Sequence, residues 1–208
     1  MAAIAPASVR LAGEPDDRSI DRIELISARR ALRLLKGNLG PVGLHALVKK
    51  QKAAGNDVFR DHSIRSAGKE ATGTITIEAT NLTAADFSAW MMRAFACQGA
   101  LIDAQPEHYL MDMTDQQGPH VVETLGDHVV GFYMGGWDES QIMDTDCDGV
   151  DRRRSTLRLD DDGTVVGHVS TTFRETEHEA IEQHLQHFSV EFRNWMLMAA
   201  AETQGKDV

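Results

Sequence analysis

Two periods of apolar residues divide the chain. Over residues 19–54 the period is helical. Ile20, Ile23, Ala31 and Leu34 recur along "IDRIELISARRALRLLKG", Ser19 can cap it, and Gly37 reads as its stop. Pro41 suits the first turn of a second helix, "PVGLHALVKKQKAAG", which Gly55 ends. The prediction is a helical hairpin, polar on one side and apolar on the other. It either covers the main core or makes a subunit contact in a homodimer. Residues 55–72 read as a connection with little regular structure.

From residue 73 the period drops to two. "TGTITIEAT" alternates Ile75 and Ile77 with threonines, which predicts a strand. Thr83 is placed to cap a short helix carrying Phe87, Trp90, Met91 and Phe95. Further strands are predicted in "EHYLMDM", "HVVETL", "HVVGFYMGGW", "STLRLD" and "TVVGHVSTTFRE", with "DDDG" at 160–163 as the turn between the last two. A long helix from about residue 175 to 201 closes the chain. Strands in series followed by a helix predict an α+β fold, a helix-grip arrangement of curved antiparallel sheet around the C-terminal helix. Such a sheet leaves a cavity against the helix, a natural place for a ligand. The expected parts are a mobile tail at 1–18, the hairpin and connection at 19–72, and the helix-grip domain at 73–208.

Composition narrows the function classes. The 208 residues suit one domain, or one domain with a helical extension, and 42% hydrophobic residues suffice for a core. A formal net charge of −11 argues against sequence-independent nucleic-acid binding, which needs basic surface. Arg152, Arg153 and Arg154 stand among aspartates and read as a solvated turn. Cys97 and Cys147 have neither CxxC spacing nor the density of a disulfide framework, so a reducing compartment is expected. No apolar run approaches the roughly 20 residues that span a bilayer. The N-terminus lacks the basic and apolar regions of a signal peptide. Cytoplasmic residence, without membrane or nucleic-acid partners, is therefore the default expectation.

The chemistry gathers on the last helix. At about 100° per residue, Ile181, Leu185, Phe188, Phe192, Trp195 and Ala199 share one face. His184, His187 and Glu191 form an adjoining strip. His187 and Glu191 are i and i+4, so one metal ion can reach both. That pattern alone is also common on solvated helices, and a metal needs further ligands. "PEHYL" offers Glu107, His108 and Tyr109, and "PHVVETLGDH" offers His120, Glu123 and His128. On a strand, Glu123 shares a face with Val121 and Leu125 while His120 and Thr124 point away. A carboxylate on an apolar face is costly unless paired with a cation, so Glu123 is the informative residue of that strand. Cys97 follows an apolar helix and reads as packing.

The order of these motifs resembles the diacetylphloroglucinol hydrolase and phloretin hydrolase family. "TGTITIEATNLTAADFSAWMMRAF", "DAQPEHYLM", "HVVETLG" and "QHFSVEFRNWM" carry the likeness, which covers about residues 72–200. It implies a zinc enzyme of the Bet v 1/START helix-grip type that cleaves a carbon–carbon bond between a phenolic ring and an acyl group. Its metal ligands fall on Glu123, His187 and Glu191. Its remaining ligand is a histidine at the end of the tryptophan helix, where this chain offers only Cys97; His108 and His184 are the candidates to stand in. The resemblance also calls for a proton donor to the ring carbon. Tyr109 and Tyr133, the only two tyrosines, are candidates beside the histidines. The implied partner is a small aromatic or polyketide-like ligand. The competing reading is a metal-free polyketide cyclase or a non-catalytic carrier of an apolar ligand on the same fold.

Overall fold

A computed structural model describes residues 11–16, 18–65, 71–97, 99–114, 118–137, 142–146, 152–161, 164–173 and 178–205. From residue 133 through the strands to 173 the main chain alone is described. The first ten residues of the expected tail, and the turn residues 162 and 163, lie outside this set. The elements run α1 (Arg18–Arg65), β1 (Ala71–Thr80), α2 (Ala84–Cys97), α3 (Gly99–Ala104), β2 (His108–Thr114), β3 (Gly118–Leu125), β4 (His128–Trp137), β5 (Ile142–Asp146), β6 (Arg152–Asp161), β7 (Thr164–Phe173) and α4 (His178–Thr203).

The chain divides at Gly40 into two compact units, Met1–Gly40 and Pro41–Val208. Gly40 interrupts α1 with φ 61° and ψ 176°, backbone that favours glycine, and Pro41 opens the next turn. The helix passes through Gly37 and Gly55, the two expected stops, and residues 55–65 are helical rather than irregular. In the first unit Ile23, Ile26, Leu34, Leu35 and Leu39 remain exposed.

Gly55 serves contact, not termination. A Cβ there would stand 2.0 Å from the carbonyl oxygen of Val129, so the helix backbone lies directly on β4. Next to it, Asn56 Nδ2 donates to Gly131 O at 3.3 Å, and Gly131 N donates to Asn56 Oδ1 at 2.9 Å. This amide ties α1 to the backbone of β4. Val48 completes the contact against Leu110 and Val122, on one face of the sheet.

The sheet has seven strands in the order β1-β7-β6-β5-β4-β3-β2, every pairing antiparallel. This is the expected α+β helix-grip class. β5 and the short helix α3 had no signal strong enough to predict them. Arg152–Arg154 lie in β6 and pair with β5, not in a turn: strand pairing overrode a locally polar sequence. β6 and β7 pair up to Asp161↔Val165, so Asp160 and Asp161, the first two residues of the expected "DDDG" turn, belong to β6.

The second face of the sheet receives α4. Val121, Leu125, Val130 and Phe132 meet Ile181, Phe188, Phe192, Trp195, Met196 and Ala199, with Phe87, Trp90 and Met91 of α2 in the same core. Thr83 caps α2 as expected: Asp86 N donates to Thr83 Oγ1 at 3.1 Å. Cys97, expected to pack, is exposed at the helix end.

Candidate metal centre

Four side chains from three elements meet inside this core. His108 begins β2, Glu123 lies on β3, and His187 and Glu191 lie one turn apart on α4. All four are buried, from 0% exposure at His108 to 4% at Glu191. The inward aim of Glu123 follows from alternation along β3, with Val121 and Leu125 on its face. That of His187 and Glu191 follows from the apolar stripe that docks α4.

His108 is inward for a different reason. The pairing of β2 with β3 steps from His108↔Glu123 to Leu110↔Val122, so β2 carries one extra residue. Regular alternation would put His108 on the face of Leu110, toward Val48. The bulge turns it through to the face of Met111 and Glu123. Tyr109 goes to the opposite face: its hydroxyl meets Thr124 Oγ1 at 2.9 Å, and its ring packs beside Val48 and Val122. It is not brought to the cluster. Tyr133 pairs through its main chain with His120, and its side chain lies outside the described residues. His184 is buried on α4, its ring 4.1 Å from that of Phe188 and 6.3 Å from that of His187, beside the four residues rather than among them. His120 faces away from Glu123, as strand alternation predicts. Its ring is 6.0 Å from that of His45, and burial first, then the Lys52 charge, lowers its pKa to about 4.

The converging atoms are specific. His108 Nε2 lies 3.1 Å from His187 Nε2, 3.3 Å from Glu123 Oε2 and 3.3 Å from Glu191 Oε1. His187 Nε2 lies 3.4 Å from Glu123 Oε2. His108, His187 and Glu191 offer ligand atoms all within 4.8 Å of one another.

The other ring nitrogens explain why these atoms face each other. His108 Nδ1 lies 3.0 Å from Leu101 O, which can only accept, so Nδ1 carries a proton. His187 Nδ1 lies 3.1 Å from Glu107 Oε2 and is a donor on the same ground. With both neutral, the two Nε2 atoms present lone pairs to each other and to two carboxylates. With both charged, two N–H groups meet head-on at 3.1 Å. Burial disfavours both imidazolium ions, but the Glu123 charge, hydrogen bonds donated to Glu107 and Glu123, and the Glu191 charge together raise the His187 pKa to about 10. At His108 burial is likewise outweighed, by Glu191 and Glu123, and its pKa is raised. Burial would raise Glu123, yet the His187 charge and the two histidine hydrogen bonds hold it well below the usual carboxylate range. Two buried carboxylates, Glu123 and Glu191, call for positive charge beside them.

A divalent cation satisfies that demand with both rings neutral. Tetrahedral ligands at about 2.0–2.1 Å from zinc are spaced about 3.3–3.4 Å apart, from the geometry of the tetrahedron. The four separations measured about His108 Nε2 and His187 Nε2, 3.1–3.4 Å, are close to that spacing, and His187 and Glu191 offer ligand atoms within 4.8 Å of each other. Two imidazoles whose far nitrogens donate to a carbonyl and a carboxylate also match the supporting bonds of metal-ligating histidines. The residues present thus fit a metal.

Glu107, offered by "PEHYL" among the further ligand candidates, instead stands behind His187 and meets its Nδ1. Its turn is laced to α4: Gln105 Nε2 donates to His187 O at 2.9 Å, and Asn194 Nδ2 donates to Ala104 O. Glu107→Gln is expected to weaken zinc binding by about 10–100-fold while the fold stays intact. Competition against a chromophoric chelator checks this. Unchanged affinity would mean that Glu107 does not orient His187.

No family model matches the chain, and no curated protein matches it. Solved structures do. A norcoclaurine synthase variant from Thalictrum flavum bound to a transition-state analogue shares 14% identity, covering 65% of this chain and 98% of its own, with TM-score 0.45. The ZhuI aromatase/cyclase from Streptomyces sp. R1128 shares 8%, covering 65% and 94%, with TM-score 0.41. Ara h 8.0201 shares 12%, covering 63% and 99%, with TM-score 0.43. Likeness at this level says nothing about what this chain does. Among the described residues no helix is long and apolar enough to cross a membrane.

Proposed function

We propose that the chain is a metal-dependent enzyme acting on a small phenolic or polyketide-like molecule, most simply a hydrolase that cleaves an aryl–acyl carbon–carbon bond. One observation carries the metal half of this reading: His108 Nε2 has His187 Nε2, Glu123 Oε2 and Glu191 Oε1 at 3.1–3.3 Å around it inside an apolar core. The reaction half rests on the resemblance of the motif order to the diacetylphloroglucinol and phloretin hydrolases. In that reading the missing family histidine is replaced by His108, and zinc is the metal expected.

When bound with a further coordination position open beyond the four side chains, zinc would supply Lewis acidity toward a carbonyl oxygen and lower the pKa of a water ligand. The chain's own residues do the rest. Leu101 O and Glu107 fix the two rings so that each Nε2 faces the centre. Phe188, Phe192 and Trp195 keep the surroundings apolar and exclude bulk water. Hydrolysis breaks the aryl–acyl bond, joins the water oxygen to the acyl carbon and leaves a proton for the ring carbon. Tyr109, on the far face of β2, is removed from that step. His184, buried beside His187, is the histidine in reach of the centre that is not a ligand.

The test is incubation of zinc-loaded protein with an acylated phloroglucinol. Release of the free acid by the wild type, and none by Glu191→Ala, is the expected result. A zinc-loaded protein that binds the compound unchanged loses the hydrolase reading. A protein that binds it equally well with no metal becomes a cyclase or a carrier.

A further inference from the structure

Among the described residues, Glu123 Oε1 and Trp195 Nε1 are buried polar atoms beside the centre that make no hydrogen bond. Glu123 spends Oε2 on the two histidines, and its Oε1 is buried with no hydrogen-bond partner. Trp195, 3% exposed, buries its indole Nε1 with no partner either. Trp195 follows Glu191 by four residues on α4, so the two side chains are neighbours on one face. Its ring lies 6.2 Å from that of His108 and 5.1 Å from that of Phe192. The indole ring is part of the packed core. A phenylalanine would serve that packing without leaving a donor unmatched.

Buried polar atoms without partners are uncommon and mark a missing water or ligand. Here one is a donor only and the other, as a carboxylate oxygen, an acceptor only. We propose that Trp195 is a ligand-recognition residue: its indole N–H donates to an oxygen of the bound small molecule, while Glu123 Oε1 accepts a hydroxyl proton from the same molecule or from a water beside it. The ligand class that answers both is a hydroxyl-bearing carbonyl compound. Its identification as an aryl ketone rests on the function proposed above; the role of Trp195 rests on the unmatched N–H. An apolar ligand without oxygen would leave both atoms unsatisfied and is disfavoured.

The experiment uses full-length, zinc-loaded, 15N-labelled protein titrated with 2,4-dihydroxyacetophenone, an uncleavable-bond control being 1,3-dihydroxybenzene. Three tryptophans give three indole signals, and that of Trp195 is identified as the one absent from W195F or, if W195F does not fold, as the one retained in W90F and W137F. The Trp195 N–H signal is expected to move downfield as the ketone binds. W195F is expected to weaken ketone binding about tenfold, one hydrogen bond's contribution, with zinc affinity unchanged. An unmoved Trp195 signal in a saturated complex, absence of ketone binding, or loss of zinc along with the ketone in W195F would each overturn the proposal. Failure of hydrolysis is a separate outcome: a protein that holds the ketone through Trp195 and never cleaves an aryl ketone keeps this inference and loses the reaction.

Discussion

Zinc added to the metal-free protein is expected to raise its melting temperature by roughly 5–10 °C, and His187→Ala is expected to abolish the rise. At free zinc about 100-fold above the dissociation constant, binding to the folded state contributes about 2.7 kcal/mol. A chain of this length shifts by roughly 2–4 °C per kcal/mol. His187 supplies one ligand atom directly, so its loss should exceed the about 10–100-fold weakening expected of Glu107→Gln, which acts only through the ring. The metal-free variant carries its own signature. Without His187, the carboxylate of Glu123 loses one of its two buried partners, and breaking such a pair costs about 3–5 kcal/mol. The variant should therefore melt lower than wild type without zinc and gain nothing with it. Melting curves with and without zinc, and metal content after dialysis, check both halves. An equal zinc shift in wild type and His187→Ala would remove this residue from the centre.

Acidity gives the second large effect, and bound metal should remove its alkaline part. In the metal-free protein His187 titrates near 10, above the ordinary histidine value of 6.5. Its protonated form thus stabilises the fold fully below about 6.5, and that stability is lost as pH rises toward 10. Glu123 is held well below 4.5, so its contribution is present above that value and is lost as the solution is made more acidic. Metal-free stability should peak between these limits, from about pH 5 to 6.5, and decline through the alkaline range. Zinc must displace the histidine protons, so its apparent affinity should rise as pH rises through the same interval. The zinc-loaded protein should then lose the alkaline decline. Urea unfolding at pH 6, 8 and 9.5, each with zinc and with chelator, tests this. Metal-free stability that rises between pH 6.5 and 9.5 would show that His187 is not held protonated by the carboxylates.

Much of the molecule could be read along the chain because short-range rules govern it. Thr83 caps its helix, Ile75 and Ile77 lie in a strand, and the stripe of Ile181, Phe188, Phe192 and Trp195 docks a helix, each as spacing requires. The inward aim of Glu123 also follows from alternation with Val121 and Leu125. Errors came where a residue's role depends on a distant neighbour. Gly55 reads as a helix stop, yet the backbone of Val129, far along the chain, is what excludes a side chain there. Arg152–Arg154 read as a turn, yet β5 supplies strand partners for all three and β7 pairs with Arg154 on the other side.

The centre divides in the same way. Sequence alone determined that α4 presents His187 and Glu191 together beside its buried stripe, because i and i+4 adjoin on any helix. It also determined that β3 turns Glu123 toward the core, because strand alternation is local. Tertiary structure decided that His108 completes the set and that Tyr109 does not join it. A single extra residue in β2 shifts the pairing with β3 and exchanges which of them faces inward. Nothing in the order of residues marks that bulge, since its energy lies in contacts with another strand and with Val48 of α1. Glu107 likewise gained its role only when its turn met α4. Local spacing sets which way a side chain leaves its own backbone; the packing of elements sets what it then meets.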